Sequence, residues 1–269
     1  MYQGVSIGLP INHRVHRIRS NMLMTRLRTR WEPDDFYTKY VQRLVIGDTR
    51  LALHLLPLCR NLTSLALILG LTKDDKARIH SLFTSNTLSF PKLRRLYLMW
   101  SLLPREQRSF RNPIFQSITH LRIDYGQEIY WSGLSSLENL THLCLSFKGK
   151  RIRNERQLDA ALHSIIYVVL PNLPPNLKYF TVQFRSQDAW YTAYNSNTQI
   201  CSDIETGEYD TRLLLDWSAF LPPQTNLFFV YRDAYDLINS WIYLPRCYND
   251  CWRRAEFEIE NRNRIYDLV

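Results

Sequence analysis

At 269 residues the chain has the length of two average domains or of one extended repeat fold, and 45% hydrophobic residues with sixteen tyrosines, twelve phenylalanines and seven tryptophans supply ample material for a packed core. The net charge of +9 is uneven: residues 1 to 45 carry eight Lys and Arg against three acids, 46 to 184 carry eighteen against nine, and 185 to 269 carry eight against thirteen. This composition argues against intrinsic disorder, and with eight glycines and no glycine-rich phosphate loop it argues against a nucleotide enzyme.

The opening "MYQGVSIGLPINHRVHR" has no apolar core of the length a signal peptide needs before its charges begin. The longest apolar run, "SIIYVVL" at 164 to 170, stops at Pro171, far short of the roughly 20 residues that cross a bilayer. We therefore expect a soluble intracellular protein, cytoplasmic or nuclear. Tyr2, Val5 and Ile7 read as a short strand. From Arg14 to Arg30, Val15, Ile18 and Met22 share one helical face, ringed by Arg14, Arg17, Arg26, Arg28 and Arg30. Such a helix packs by its apolar stripe and solvates its charged face, although the same pattern suits an anionic membrane or nucleic acid.

From residue 41 a phrase recurs, L-x-x-L-x-L with any large apolar residue at the L positions. It is met at Val41/Leu44/Ile46, Leu62/Leu65/Leu67, Leu93/Leu96/Leu98, Ile118/Leu121/Ile123, Leu140/Leu143/Leu145 and Leu177/Phe180/Val182, and "NLFFVYR" at 226 to 232 is a degraded late copy. Successive offsets of 21, 31, 25, 22 and 37 residues mark a repeat with elastic connections. Each copy follows a proline or small polar residue and then alternates with period two, as a strand does. Between copies the spacing turns helical: Leu51, Leu55 and Leu58; Ile79, Leu82 and Phe83 after the acidic start Asp74-Asp75; and Leu158, Ala161, Leu162, Ile165, Ile166 and Val169, ended by Pro171.

Strands alternating with helices of about a dozen residues imply an α/β fold of parallel strands, with the helices outside and the strands lining a concave side. Stacking makes the core continuous, giving an irregular solenoid, and its L-x-x-L-x-L phrase resembles that of leucine-rich repeats. We read residues 1 to 269 as a single repeat domain: a basic strand and helix segment at 1–35, repeats at 36–184, and a degenerate repeat with a C-terminal cap at 185–269. In the cap, Trp252, Ala255 and Phe257 close the end of the core.

The succession "YVQRLVIGD", "CRNLTSLAL", "FPKLRRLYL", "ITHLRI", "LTHLCLSF", "YDTRLLLDW" and "DCWRRAE" resembles fungal F-box/leucine-rich-repeat-like proteins over roughly 36 to 256. The resemblance implies a protein-interaction scaffold, with substrate recognition as its role. Two features depart from the pattern. Leucine-rich repeats place an asparagine or cysteine three residues after the third apolar position, and here those sites are Thr49, Gly70, Ser101, Gly126, Lys148 and Arg185. After Leu9-Pro10, the segment "INHRVHRIRSNMLMTRLRTRW" is too basic for an F-box and lacks a second and third helix, so contact with a ubiquitin-ligase core through an F-box is not implied.

Alternation assigns the candidate site. With Leu143 and Leu145 in the core, His142, Cys144 and Ser146 point to the concave face, as do His120, Arg122 and Asp124 on the neighbouring strand. The partner-binding candidates are Arg43, Arg95, Tyr97, His120, Arg122, Asp124, His142 and Tyr179, centred on Arg95, Tyr97, His120 and Arg122, because arginine and tyrosine are enriched at protein interfaces. We expect this face to be exposed and to meet a protein partner, and the protein to be a monomer. The alternative is a basic nucleic-acid-binding protein.

His142 and Cys144 on one strand face should lie about 6 to 7 Å apart, too far for a nucleophile and its base, and two histidines with a cysteine are loosely placed for a metal. Five cysteines without a CxxC motif support neither a disulfide framework nor a zinc knuckle, and Cys247 and Cys251 read as packing residues. We expect no catalytic residue, metal or cofactor.

Overall fold

The structure, a computed structural model, describes residues 4–7, 35–68, 73–84, 88–103, 109–125, 129–147, 154–184, 199–216 and 251–266. The basic segment 14 to 30, the late copy at 226 to 232 and Cys247 lie outside them. The described residues fall into two compact units, one holding those from 4 to 103 and 112 to 118, the other 109 to 111, 119 to 216 and 251 to 266.

The first unit runs β1 (Gly4–Ile7), α1 (Phe36–Tyr40), β2 (Arg43–Ile46), α2 (Thr49–Leu55), β3 (Ser64–Leu67), α3 (Lys73–Thr84) and β4 (Arg95–Leu98). Its four strands pair in chain order, all parallel. Each leucine phrase becomes a strand because its alternate residues are buried: Leu44, Ile46, Leu65, Leu67, Leu96 and Leu98 are at most 1% exposed. Asp48 caps α2 by accepting from the N–H groups of Arg50 and Leu51, and Leu51, Ala52 and Leu55 are buried behind it. Leu58, which its spacing assigns to the same stripe, lies beyond the helix end and is exposed. Cys59 is fully buried, which pushes its thiol up to about 12, so it behaves as a packing residue.

The second unit runs β5 (His120–Asp124), β6 (His142–Phe147), α4 (Glu155–Ser164), β7 (Tyr179–Phe184), α5 (Gln199–Glu205), β8 (Leu213–Asp216) and α6 (Cys251–Tyr266). Strands β5 to β8 are again parallel and in order. Asn154 caps α4, which continues into a π turn at Ile165–Val169 and a 3-10 turn at Leu170–Asn172. Of the predicted stripe, Leu158, Leu162, Ile165, Ile166 and Val169 are buried and Ala161 is half-buried. The wider π turn leaves two successive large residues, Tyr167 and Val168, in solvent.

With no asparagine ladder, the repeats are tied at the strand starts, where one carbonyl accepts two N–H groups of the next repeat. Thr63 and Ser64 donate to Gln42, Arg94 and Arg95 to Thr63, Thr141 and His142 to Thr119, and Lys178 and Tyr179 to Thr141. The hydroxyls of Thr63 and Thr141 reinforce two of these ties.

Several expectations need correction. Helices of a dozen residues do not follow every strand: among the described residues, the connections after β4 and β5 hold 3-10 turns at Trp100–Leu102, Pro113–Phe115 and Trp131–Ser136. Pro113 sits at the start of one of these turns, where its missing N–H costs nothing. Parallel strands alternating with helices are as the sequence predicts, but an open solenoid arc is not indicated. In the second unit the strand face expected to be open is covered by α6, which buries Trp252, Ala255 and Ile259. Phe257, read as part of the core closure, is 63% exposed: it lies five residues from Trp252, off the stripe that Trp252, Ala255 and Ile259 form at helical spacing.

Candidate functional site

Parallel register places paired residues side by side on one face, so the candidates form rows across the strands. In the first unit Arg43 and Arg95 flank Ser64, and Tyr97 shares a row with Val45 and Ala66. Arg43 and Arg95 are half-buried, whereas Tyr97 is fully buried, which corrects its expected exposure.

In the second unit His120, His142 and Tyr179 form the first row. The two imidazoles stack with centroids 4.0 Å apart and planes 6° from parallel, and Tyr179 stacks on the other side of His142 at 4.7 Å. Trp252 of α6 stands nearly perpendicular to both imidazoles, at 5.5 Å from His120 and 5.8 Å from His142, and packs against the fully buried Cys144. One helical turn on, Glu256 Oε1 lies 3.0 Å from His142 Nε2, and another turn on, Glu260 accepts from the Tyr179 hydroxyl at 3.1 Å. Near its end, Arg262 donates to the carbonyls of Leu213 and Ile204. Burial pushes the Tyr179 phenol up, and the hydrogen bond and charge of Glu260 with the charge of Glu256 push the same way, so the phenol remains a donor.

The next two rows are polar and enclosed. Arg122 pairs in register with Cys144 and Thr181, and Asp124 with Ser146, Gln183 and Asp216. Arg122 Nη2 donates to Gln183 Oε1, and Gln183 Nε2 donates to Asp216 Oδ2 at 3.0 Å. A cation and a carboxylate, 6% and 5% exposed, are thus joined through one amide that offers each the group it needs. Ser146 and Thr181 are fully buried, and their hydroxyls have no hydrogen-bond partner among the described residues.

The register therefore brings His120, His142 and Tyr179 together and sets Arg122 and Asp124 beside them, but the expected exposure fails for Arg122 and His142. His120, Asp124 and Tyr179 are half-buried. Sequence reasoning stopped at Tyr179 along β7 and missed Gln183, four residues on in the same alternation, and Asp216, on a strand whose three successive leucines hide the period. It also missed Glu256 and Glu260, whose spacing of four and eight from Trp252 was the available signal.

A nucleophilic Cys144 finds no support in this geometry: the thiol is sealed under Trp252 and the His142 Nε2 engages Glu256. No group of three or more His, Cys, Asp or Glu side chains among the described residues is placed to hold a metal ion, and no described helix is long and apolar enough to cross a membrane. Neither family models, curated proteins nor solved structures provide a match to this chain.

Proposed function

We propose that the chain is a protein-interaction scaffold of irregular leucine-rich-repeat-like repeats that recognises another protein in the cytoplasm or nucleus by binding rather than catalysis. The resemblance to F-box/leucine-rich-repeat-like proteins extends this to substrate recognition, with an adaptor contact made by another chain. The observation that carries the reading is α6 itself. It lies on the strand face as a helical ligand lies in a groove, through one indole anchor and two carboxylates spaced one turn apart. A face that holds a helix in cis has the chemistry to hold one in trans.

Arg43 and Arg95, half-buried on either side of Ser64, and the exposed rings of Tyr130 and Tyr167 provide further side chains of the types interfaces favour. Arg122 is unsuited to a surface test because it is paired inside the protein. The test is affinity capture from nuclease-treated lysate with the wild type and an Arg43→Glu, Arg95→Glu variant of unchanged circular dichroism. A discrete protein recovered with the wild type and lost with the variant supports the proposal. Equal recovery with both, or recovery of nothing once nucleic acid is digested, overturns it. In the latter case, affinity for a nucleic acid that falls steeply with salt would favour the rival reading, whose basis is the basic excess over residues 46 to 184.

A further inference from the structure

The phrase Thr-His-Leu occurs twice in the second unit, and in both copies the threonine meets its own neighbour. Thr119 Oγ1 lies 2.8 Å from His120 Nδ1, and Thr141 Oγ1 lies 2.8 Å from His142 Nδ1. Pairing of β5 with β6 then brings the two rings face to face at 4.0 Å. Both nitrogens of His142 are engaged, Nδ1 with Thr141 and Nε2 with Glu256.

A count of protons decides the state of that ring. An ionised Glu256 carboxylate can only accept, so Nε2 carries a hydrogen. Thr141 has a single hydroxyl proton, and its Oγ1 is also 3.1 Å from the Thr119 carbonyl, which likewise can only accept. Once the hydroxyl has donated there, the contact to Nδ1 is a hydrogen bond only if Nδ1 bears a hydrogen too. All three contacts hold together when His142 is an imidazolium, and a neutral ring forfeits one of them.

The surroundings act in the same direction. Glu256 places a negative charge at 3.0 Å from α6, Glu260 adds another at the Tyr179 hydroxyl, and the Trp252 ring stands nearly perpendicular to the imidazole. Tyr179 on β7 faces the ring as a neutral phenol, Cys144 lies two residues on in β6, and Arg122 on β5 is drawn off toward Gln183. His120 is in the opposite position. A ring stacked at 4.0 Å on an imidazolium is disfavoured from taking a second proton.

We propose that the stacked pair binds one proton, held on His142, and that this proton is part of what fixes α6 to the strand face. Docking against Glu256 raises the proton affinity of His142, so the contribution is fully present below the ordinary histidine value of about 6.5 and is lost as pH rises through the higher value of the docked ring. Mild acid tightens α6 and alkali loosens it. The inference goes beyond the proposed function and does not depend on it, because the titration is expected whether or not a partner exists.

The experiment is a titration of the full chain carrying histidine labelled with 13C at Cε1, followed by NMR, with amide hydrogen exchange of residues 251 to 266 corrected for base catalysis. In the wild type His142 titrates above and His120 below the ordinary value. Glu256→Gln lowers the proton affinity of His142 about tenfold, and His142→Phe, which keeps the stack without the charge, raises that of His120. Protection of α6 falls from about pH 6 to about pH 9 in the wild type and stays level in Glu256→Gln. Glu260→Gln, which loses a bond to Tyr179 instead, leaves His142 within about twofold of the wild type and guards against a general loosening. Should Glu256→Gln not fold, Thr141→Val lowers His142 through the other nitrogen. Two histidines titrating alike at the ordinary value, an unmoved His142 in Glu256→Gln, or α6 protection indifferent to pH would each overturn the proposal.

Discussion

In the first unit the row between the strand leucines is Val45, Ala66 and Tyr97, whereas in the second the matching row is Arg122, Cys144 and Thr181, followed by Asp124, Ser146, Gln183 and Asp216. The leucine phrase sets the backbone of both units and leaves the alternate positions to local chemistry. An apolar row is stabilised simply by leaving water. A buried polar row is stabilised where it finds partners within the protein, as Gln183 does between Arg122 and Asp216 and as His142 and Tyr179 do with Glu256 and Glu260, whereas the Ser146 and Thr181 hydroxyls of the same rows have none among the described residues.

The most severe way to break this contrast is to write the second unit's chemistry into the first. Ala66→Arg places an unpaired cation at a site with no exposure and should cost at least about 4 kcal/mol, read as loss of the folded state in a urea titration. Survival of that variant with native stability would mean the first row is not closed. Trp252→Ala removes the anchor of α6, and we expect a loss of about 3 to 5 kcal/mol in the same measurement. Gln183→Leu keeps the volume but parts the buried cation from the buried carboxylate, at a cost of about 2 to 3 kcal/mol.

Asp210, outside these rows, gives a smaller and pH-dependent effect. Burial pushes its carboxyl up, but hydrogen bonds from the Arg212 side chain and backbone N–H, with the Arg212 charge, outweigh burial and hold it below the usual carboxylate range. Its contribution is present above about pH 3.9 and is lost as pH falls through the depressed value, so Asp210→Asn should flatten the acid limb of stability by less than about 1 kcal/mol, allowing for the part-exposed Arg212. Phe257→Ser should change stability by no more than about 0.5 kcal/mol, because the ring faces solvent. A loss near that of Trp252→Ala would restore the sequence reading of Phe257 as core.

The strands were legible because burial of Leu44, Leu65, Leu96, Leu121, Leu143 and Phe180 imposes a period of two at fixed spacing. So was the apolar stripe from Leu158 to Val169, although Pro171 lies inside the closing 3-10 turn and does not end the helical path. The rows of the candidate site were legible as rows, since parallel register follows from aligned phrases. Their exposure was not. Whether His142 and Arg122 meet water depends on a helix more than a hundred residues away in the sequence, and nothing in "CWRRAEFEIE" states which surface its Trp252, Ala255 and Ile259 stripe will cover. The 3-10 connections were hidden for a simpler reason: a short turn rich in Trp, Ser and Gly carries no period to count.

The path of α6 has a consequence for how the second unit comes apart. Strands stacked in order touch only their neighbours, and such an array can fray from either end in small independent steps. Yet α6 reaches β5 through His120, β6 through His142, β7 through Tyr179 and β8 through the Leu213 carbonyl. One helix bound to all four strands ties the loss of any one of them to the loss of the rest, so this unit should melt in a single cooperative transition.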